Sequence, residues 1–493
     1  MAMRQGGLRS FLRVSFVLAA LCPTPGSRLI AQGAEPSVQA RIDRVVTCLR
    51  QPVYVKDDPC VDLAERMAAL HVTGVSVAVI HNGQLEWARG FGVEQVGGKS
   101  VTPETRFQAG SISKPVAAMA ALHLVQEGKL GLDEDANKEL SSWKIPANSE
   151  ATAKTITLRE LLTHTAGITV HGFPGYAQGE PVPTLVQILN GEYPAKTPAI
   201  KVETLPGSRW NYSGGGFTIM QMMAIDAAKK PFPKLMHDSV LVPIGMRHST
   251  YEQPLPIEDQ PMATPYNEDG TPVTGGAHTY PEMAAAGLWT TASDLAEYIV
   301  ENQQSLAGKA NHVLSQAMTK QMLTPGIGSW GLGVQIGGSK EDPYFTHDGI
   351  NAGFEALFVG YETHGDGAVV MTNAQGGMRL AKELMQSIAT EYDWPDFRGK
   401  MRVIVKLDPS GLAKYAGTYD LTPTNHLTFT VDGNQLFGAM NNQGKTPVFP
   451  ESETRFFLRM ADVEIEFVKD GQGQVTGLVV HQNGEDQNGV RRK

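Results

Sequence analysis

At 493 residues the chain exceeds what one hydrophobic core usually holds, so a large domain with a smaller one beside it is expected. Its 42 Lys and Arg face 51 Asp and Glu, and the net charge of −9 with no long basic run offers nothing to a phosphate backbone, which argues against a nucleic-acid partner. The 41% hydrophobic and 19% charged content, with 52 Gly and 30 Pro, belongs to a loop-rich globular protein and argues against long disorder.

The N-terminus carries Arg4, Arg9 and Arg13, then the apolar stretch Val14 to Leu21, then small and turn-forming residues up to Ala34. That order is the order of a secretory signal, too short to span a bilayer, and predicts a secreted or periplasmic protein cleaved near Ala31 to Ala34. A lipid anchor on Cys22 ranks below simple cleavage, because Leu21 stands where bacterial lipoproteins want a small residue. No later segment reaches the ~20 apolar residues of a membrane helix, so no transmembrane span is expected. Once Cys22 leaves with the signal, Cys48 and Cys60 remain, and an oxidising compartment lets them pair as a structural disulfide.

Helix-like patterns follow at Ser37 to Arg50 and Val61 to His71. Val75 to Ile80 and Gln84 to Gly90 flank His81-Asn82-Gly83, a hairpin signal, since Asn-Gly suits two positive φ angles. From Ile112 to Glu127 the chain is apolar nearly all round and stops at Gly128, which predicts a helix buried at the centre of a domain. Loops and helices between about 150 and 290 include Thr157 to His164 and Phe217 to Ala228. Ser293 to Gln303 and Val313 to Leu323 read as further helices. Strand patterns return at Trp330 to Ile336, Tyr344 to His347, Phe354 to Tyr361 and Ala368 to Thr372, before a last helix from Met378 to Tyr392. Past Trp394-Pro395 about ninety residues of short alternating segments, separated by turns such as Asp432-Gly433 and Asp470-Gly471, predict a small all-β barrel or sandwich. The expected fold class is therefore α/β, an antiparallel sheet built from both ends of a large domain, flanked by helices and carrying a helical insertion. The expected division is residues 1–33 as signal, 34–398 as the large domain and 399–493 as β-barrel.

Chemistry concentrates at Ser111-Ile112-Ser113-Lys114, the start of the buried helix. Residues three apart share a helix face, so the Lys114 amine can reach the Ser111 hydroxyl, and free N–H groups at the helix start favour an oxyanion. A serine needs a base at neutral pH, and a lysine serves when burial lowers its pKa. A second SxxK, Ser141-Ser142-Trp143-Lys144, lacks the buried helix and reads as surface. His123 and His164 read as satisfied structural histidines, and neither a GxSxG elbow, an HExxH nor a cysteine cluster is present, so neither metal nor cofactor is expected.

The segment Phe107-Gln108-Ala109-Gly110-Ser111-Ile112-Ser113-Lys114 resembles the nucleophile segment of class C β-lactamases, D-aminopeptidases, DD-carboxypeptidases and family VIII esterases. Leu161 to Gly167 and Ala286 to Leu295 resemble further stretches of that family. Asn211-Tyr212-Ser213-Gly214 stands at its YxN motif and His347-Asp348-Gly349 at its KTG or HxG strand, over a match covering about residues 40 to 395. The tail resembles the lipocalin-like domain often appended to such proteins. The resemblance implies that Tyr212 exchanges a proton with Ser111 and the leaving group, and that Ile350 supplies an oxyanion N–H beside that of Ser111. It also implies that His347 and Gly349 bind substrate. Gly214 replaces the family's Asn and His347 its Lys, departures that put β-lactam recognition in doubt and weaken any carboxylate clamp. His81-Asn82-Gly83 also fits HxG but precedes the nucleophile, the wrong order. A serine hydrolase working through an acyl-enzyme follows, a peptidase for D-amino-acid-containing peptides or an esterase, with a small-molecule or short-peptide substrate. The alternatives are a class C-like β-lactamase and a non-catalytic penicillin-binding-type protein. Nothing in the sequence bears on oligomeric state.

Overall fold

The computed structural model describes residues 37–492 other than 257–260, 442 and 483–484; the expected signal segment lies outside the described residues. Its first helix, α1 (Val38–Thr47), turns Ile42 and Val45 inward and Asp43 and Arg44 outward, the apolar stripe of a helix laid on a sheet. Strands β1 (Gly74–His81) and β2 (Gln84–Gly92) form the expected hairpin, with Asn82 at φ 54° and Gly83 at φ 72° closing the turn. Helix α2 (Ser113–Gln126) follows a 3₁₀ turn over Gly110–Ile112, so Ser111 stands one turn ahead of the α-helix rather than inside it.

The insertion contributes α3 (Leu158–Leu162) and α4 (Gly214–Ala228), then α5 (Met283–Ala286) and α6 (Ala292–Leu306) return the chain to the sheet. The sheet is completed by β3 (Gln335–Gly338), β4 (Pro343–Asn351), β5 (Phe354–Tyr361) and β6 (Gly367–Thr372), and helix α7 (Gly377–Glu391) ends the large unit. Strand order is β2-β1-β6-β5-β4-β3, antiparallel throughout, so the first hairpin joins the last strands across the middle of the sheet. One buried cluster packs the inner face against α2, α4 and α6, and another packs the outer face against α1 and α7. This is the expected α/β class with its antiparallel sheet and flanking helices.

The expected strand from Trp330 is shorter. Continuous pairing starts only at Gln335, because Gly331 and Gly333 turn the chain back on itself and leave Trp330 with an isolated bridge to Gln335. The tail closes into an eight-stranded barrel running from Gly417–Asp420 to Glu485–Arg491. Its interior is filled by Tyr415, Tyr419, Phe429, Phe456 and Phe467, so it is a packed core and not a ligand cup. Two of its strands, Thr446–Pro450 and Glu485–Arg491, carry no clear apolar alternation in the sequence. Among the described residues no helix is long and apolar enough to cross a membrane.

Candidate active site

Ser111 is placed by close backbone packing. Gly110 takes φ +51°, and a Cβ there would lie 2.5 Å from the Ile350 nitrogen; a Cβ on Gly349 would lie 1.9 Å from the Ala109 carbonyl oxygen. Only two glycines let the nucleophile turn rest directly on strand β4. Ser113 locks the turn from beneath: its hydroxyl donates to the Gly110 carbonyl at 2.6 Å and accepts from the Leu288 N–H at 2.9 Å.

Lys114 is buried, and its Nζ lies 2.8 Å from Ser111 Oγ and 2.9 Å from the Ala285 carbonyl oxygen. Burial pushes its pKa down to about 7, opposed by the nearby charge of Asp348. A neutral amine here can donate to Ala285 and accept the serine proton, the arrangement a general base requires. Tyr212 directly precedes Ser213, whose side chain accepts from the Gly216 N–H at 2.9 Å and caps α4. The phenol hydrogen-bonds the Ser111 side chain, and Lys114 Nζ lies 4.9 Å from its ring centroid. Burial holds the phenol well above its ordinary pKa, the Ser111 contact opposing and Asp348 reinforcing the rise, so Lys114 is the readier proton acceptor of the two.

Strand β3 pairs with β4 only as far as Thr346, leaving the edge beyond it open toward Ser111. Ile350 lies on that edge, 57% exposed, and lines the same 460 Å³ cavity as Ser111, Lys114 and Tyr212. Larger cavities of 720 and 830 Å³ lie toward α7 and the barrel, but neither contains the serine or the lysine.

His347 departs from its expected place facing substrate. It is 3% exposed, packed against Trp330 (5.2 Å) and Tyr212 (6.2 Å), and does not line the cavity. Strand alternation explains this, since His347 and Gly349 point inward while Asp348 and Ile350 point out. Burial, aided by the charge of Lys114, pushes His347 down to about 4, so it is neutral and no cationic clamp. Gly349 serves the close approach to Ala109. At Gly214 a Cβ would meet Phe173 Cε2 at 2.8 Å, so an aromatic edge occupies the space that an amide side chain would need.

Sequence reasoning gave several groups no part in the site. His164 sits beneath Tyr212, ring centroids 4.3 Å apart, and its Nδ1 accepts the Ser213 N–H at 3.1 Å. Asn351 donates to Gln108 and to the Ala286 carbonyl, tying β4 to α5. Asp348, between two recognised positions, lines the cavity. The other candidates are peripheral. Ser141 and Ser142 bind the Asp226 carboxylate, Lys144 spends itself on backbone carbonyls, and His81 pairs with Asp366. Cys48 and Cys60 form a disulfide with Cα atoms 4.4 Å apart.

The Beta-lactamase family model matches residues 62–390, two thirds of the chain. The chain belongs to that family. It is accordingly a β-lactamase-related serine hydrolase in the general sense. A Domain of unknown function (DUF3471) model covers residues 402–491. Protein flp of Staphylococcus aureus (strain N315) is 28% identical over 187 residues, 37% of this chain and 36% of that relative, so the match spans about a third of its length. Penicillin-binding protein 4* of Bacillus subtilis (strain 168) is 21% identical over 461 residues, covering 87% of this chain and 98% of its own. Among solved structures, the octameric penicillin-binding protein homologue from Pyrococcus abyssi superposes with a TM-score of 0.59 at 21% identity, covering 86% of this chain and 98% of that one. It shares the fold.

Proposed function

We propose that this family member hydrolyses small esters or D-amino-acid-containing peptides through an acyl-enzyme on Ser111. The observation that carries the reading is Lys114 Nζ, 2.8 Å from Ser111 Oγ in a buried site that lowers its pKa to about 7. Neutral Lys114 takes the hydroxyl proton as Ser111 Oγ attacks the carbonyl carbon. The N–H groups of Ser111 and Ile350 receive the oxyanion. As the tetrahedral adduct collapses, Tyr212 gives its proton to the leaving oxygen or nitrogen and regains one from Lys114. Water then attacks the acyl-Ser111 ester with the same groups reversing their roles. The buried neutral His347 and the aromatic edge at Gly214 favour an esterase or peptidase over a β-lactamase.

In this reading the mature protein is secreted or periplasmic and starts within about residues 32–35. Its catalytic domain runs to residue 398 and the β-barrel domain from 399. Labelling with an uncharged fluorophosphonate, peptide mapping, and a panel of D-aminoacyl amides, short esters and a chromogenic cephalosporin test the proposal. An unlabelled Ser111 with no turnover of any panel member would leave a non-catalytic binder.

A further inference from the structure

The wall of the 460 Å³ cavity is unusual in what it combines: Phe173, Trp210, Tyr212 and Trp330 with a single carboxylate, Asp348. Trp210 and Trp330 stack at 5.8 Å with planes 25° apart, and Tyr212 meets Trp330 edge-on at 5.7 Å. Gly328 backs Trp210, where a Cβ would come within 2.7 Å of the ring, so the indole is held in place. Phe173 fills the space at Gly214. Asp348 is exposed, and its carboxylate has no hydrogen bond or ion pair among the described residues. Lys114 directs its Nζ to Ser111 and Ala285 and leaves that carboxylate unbonded. Lys114, Tyr212 and the exposed His171 are the other titratable groups of the cavity.

We propose that this cavity selects substrates bearing an alkylammonium group beside the scissile carbonyl, with the aromatic faces holding the cation and Asp348 neutralising it. The inference rests on the hydrolase reading and names its substrate class. Three substrate chemistries discriminate. An anion would meet Asp348 as a like charge, and Lys114, which must be neutral to work as the base, offers it no lasting partner. A neutral apolar group would gain the rings but strip water from an unpaired carboxylate, which costs. An alkylammonium satisfies both, because its weakly hydrated charge is attracted to ring faces and carboxylate together. Binding a cation there also cancels the field by which Asp348 favours charged Lys114, leaving the base more neutral when substrate is present.

The test compares the thioacetate ester of choline with its uncharged isostere, in which carbon replaces nitrogen, at equal ionic strength. Wild type is expected to favour the cationic ester by roughly tenfold in kcat/KM, and Asp348→Asn to reduce that preference to less than about threefold. In parallel, tryptophan fluorescence is titrated with tetramethylammonium chloride against sodium chloride. A saturable change is expected, weakened in Asp348→Asn and in Trp210→Ala. Equal rates on both esters, or a preference that survives Asp348→Asn, overturn the inference. If Ser111 resists labelling and neither ester turns over, the hydrolase reading fails. The tetramethylammonium titration then still decides the cation site, and its absence refutes it.

Discussion

Lys114 carries the strongest quantitative consequence. Burial takes its pKa from 10.5 to about 7, which corresponds to about 5 kcal/mol of disfavoured charge in the folded state. A base acts in its neutral form, so acylation should follow the deprotonated fraction, about one tenth at pH 6, half at pH 7 and nine tenths at pH 8. kcat/KM for an uncharged short-chain ester, corrected for buffer hydrolysis, is expected to rise about tenfold from pH 6 to 8 and then level. Asp348 raises the lysine pKa, so Asp348→Asn should move the limb to lower pH. The folding linkage has a definite sign. Between about pH 7 and 10.5 the unfolded chain binds a proton that the folded one does not, so stability attributable to this residue rises with pH. Lys114→Met is therefore expected to be inactive yet more stable than wild type at pH 7, with the difference shrinking by about 2–3 kcal/mol at pH 9. Denaturant melts at both pH values measure it. A pH-independent rate with a constant stability difference would refute Lys114 as a desolvated base.

Ser111→Ala should lower turnover of any substrate by about a thousandfold or more, while Ser141→Ala, whose neighbours are Asp226 and backbone, should leave it unchanged in the same assay. kcat/KM for a short p-nitrophenyl ester should exceed that for a cephalosporin by at least ~100-fold, since two contacts worth about 1–3 kcal/mol each are missing. Installing one of them by His347→Lys should fail to narrow the gap and should lower Tm, because the new ammonium is buried beside Lys114. Cys48→Ser opens a loop with a sequence separation of 12 and should cost about 3 kcal/mol in denaturant melts.

The nucleophile segment was legible because its signal is local: an SxxK at the mouth of an all-apolar helix needs no knowledge of neighbours. The early hairpin was legible for the same reason, through Asn82-Gly83. What the sequence left dark depends on partners distant in the chain. Ser113 looked like a motif spacer, yet its hydroxyl bridges Gly110 to Leu288, 175 residues from itself. His164 looked like an ordinary structural histidine, and only the packing of α3 against α4 puts its ring under Tyr212. His347 was assigned a substrate contact from motif position alone. Period-two alternation along β4, with Phe345 facing inward, already placed its ring on the buried face. The barrel strand Glu485–Arg491 carries almost no apolar alternation, because its side chains are largely exposed and the closing hydrogen bonds hold it. Thr446–Pro450 was hidden by its two prolines.

The histidine at position 347 gains a different meaning once its burial is taken with that of His164. Both rings lie in the wall around Tyr212, and in both burial comes first and the charge of Lys114 second among the causes that keep them neutral. Such interactions are reciprocal: if Lys114 disfavours a charged imidazole, a charged residue at 347 would disfavour charged Lys114. A permanently cationic side chain there would push the lysine below the range in which a general base is efficient near neutrality. With neutral histidines, the balance reduces to burial lowering the Lys114 pKa and Asp348 raising it, and it settles near 7. The exchange of a lysine for a histidine on this strand thus removes a clamp for anionic substrates and at the same stroke protects the base. The carboxylate at 348 completes both effects, holding the lysine pKa up while presenting negative charge to whatever enters the cavity.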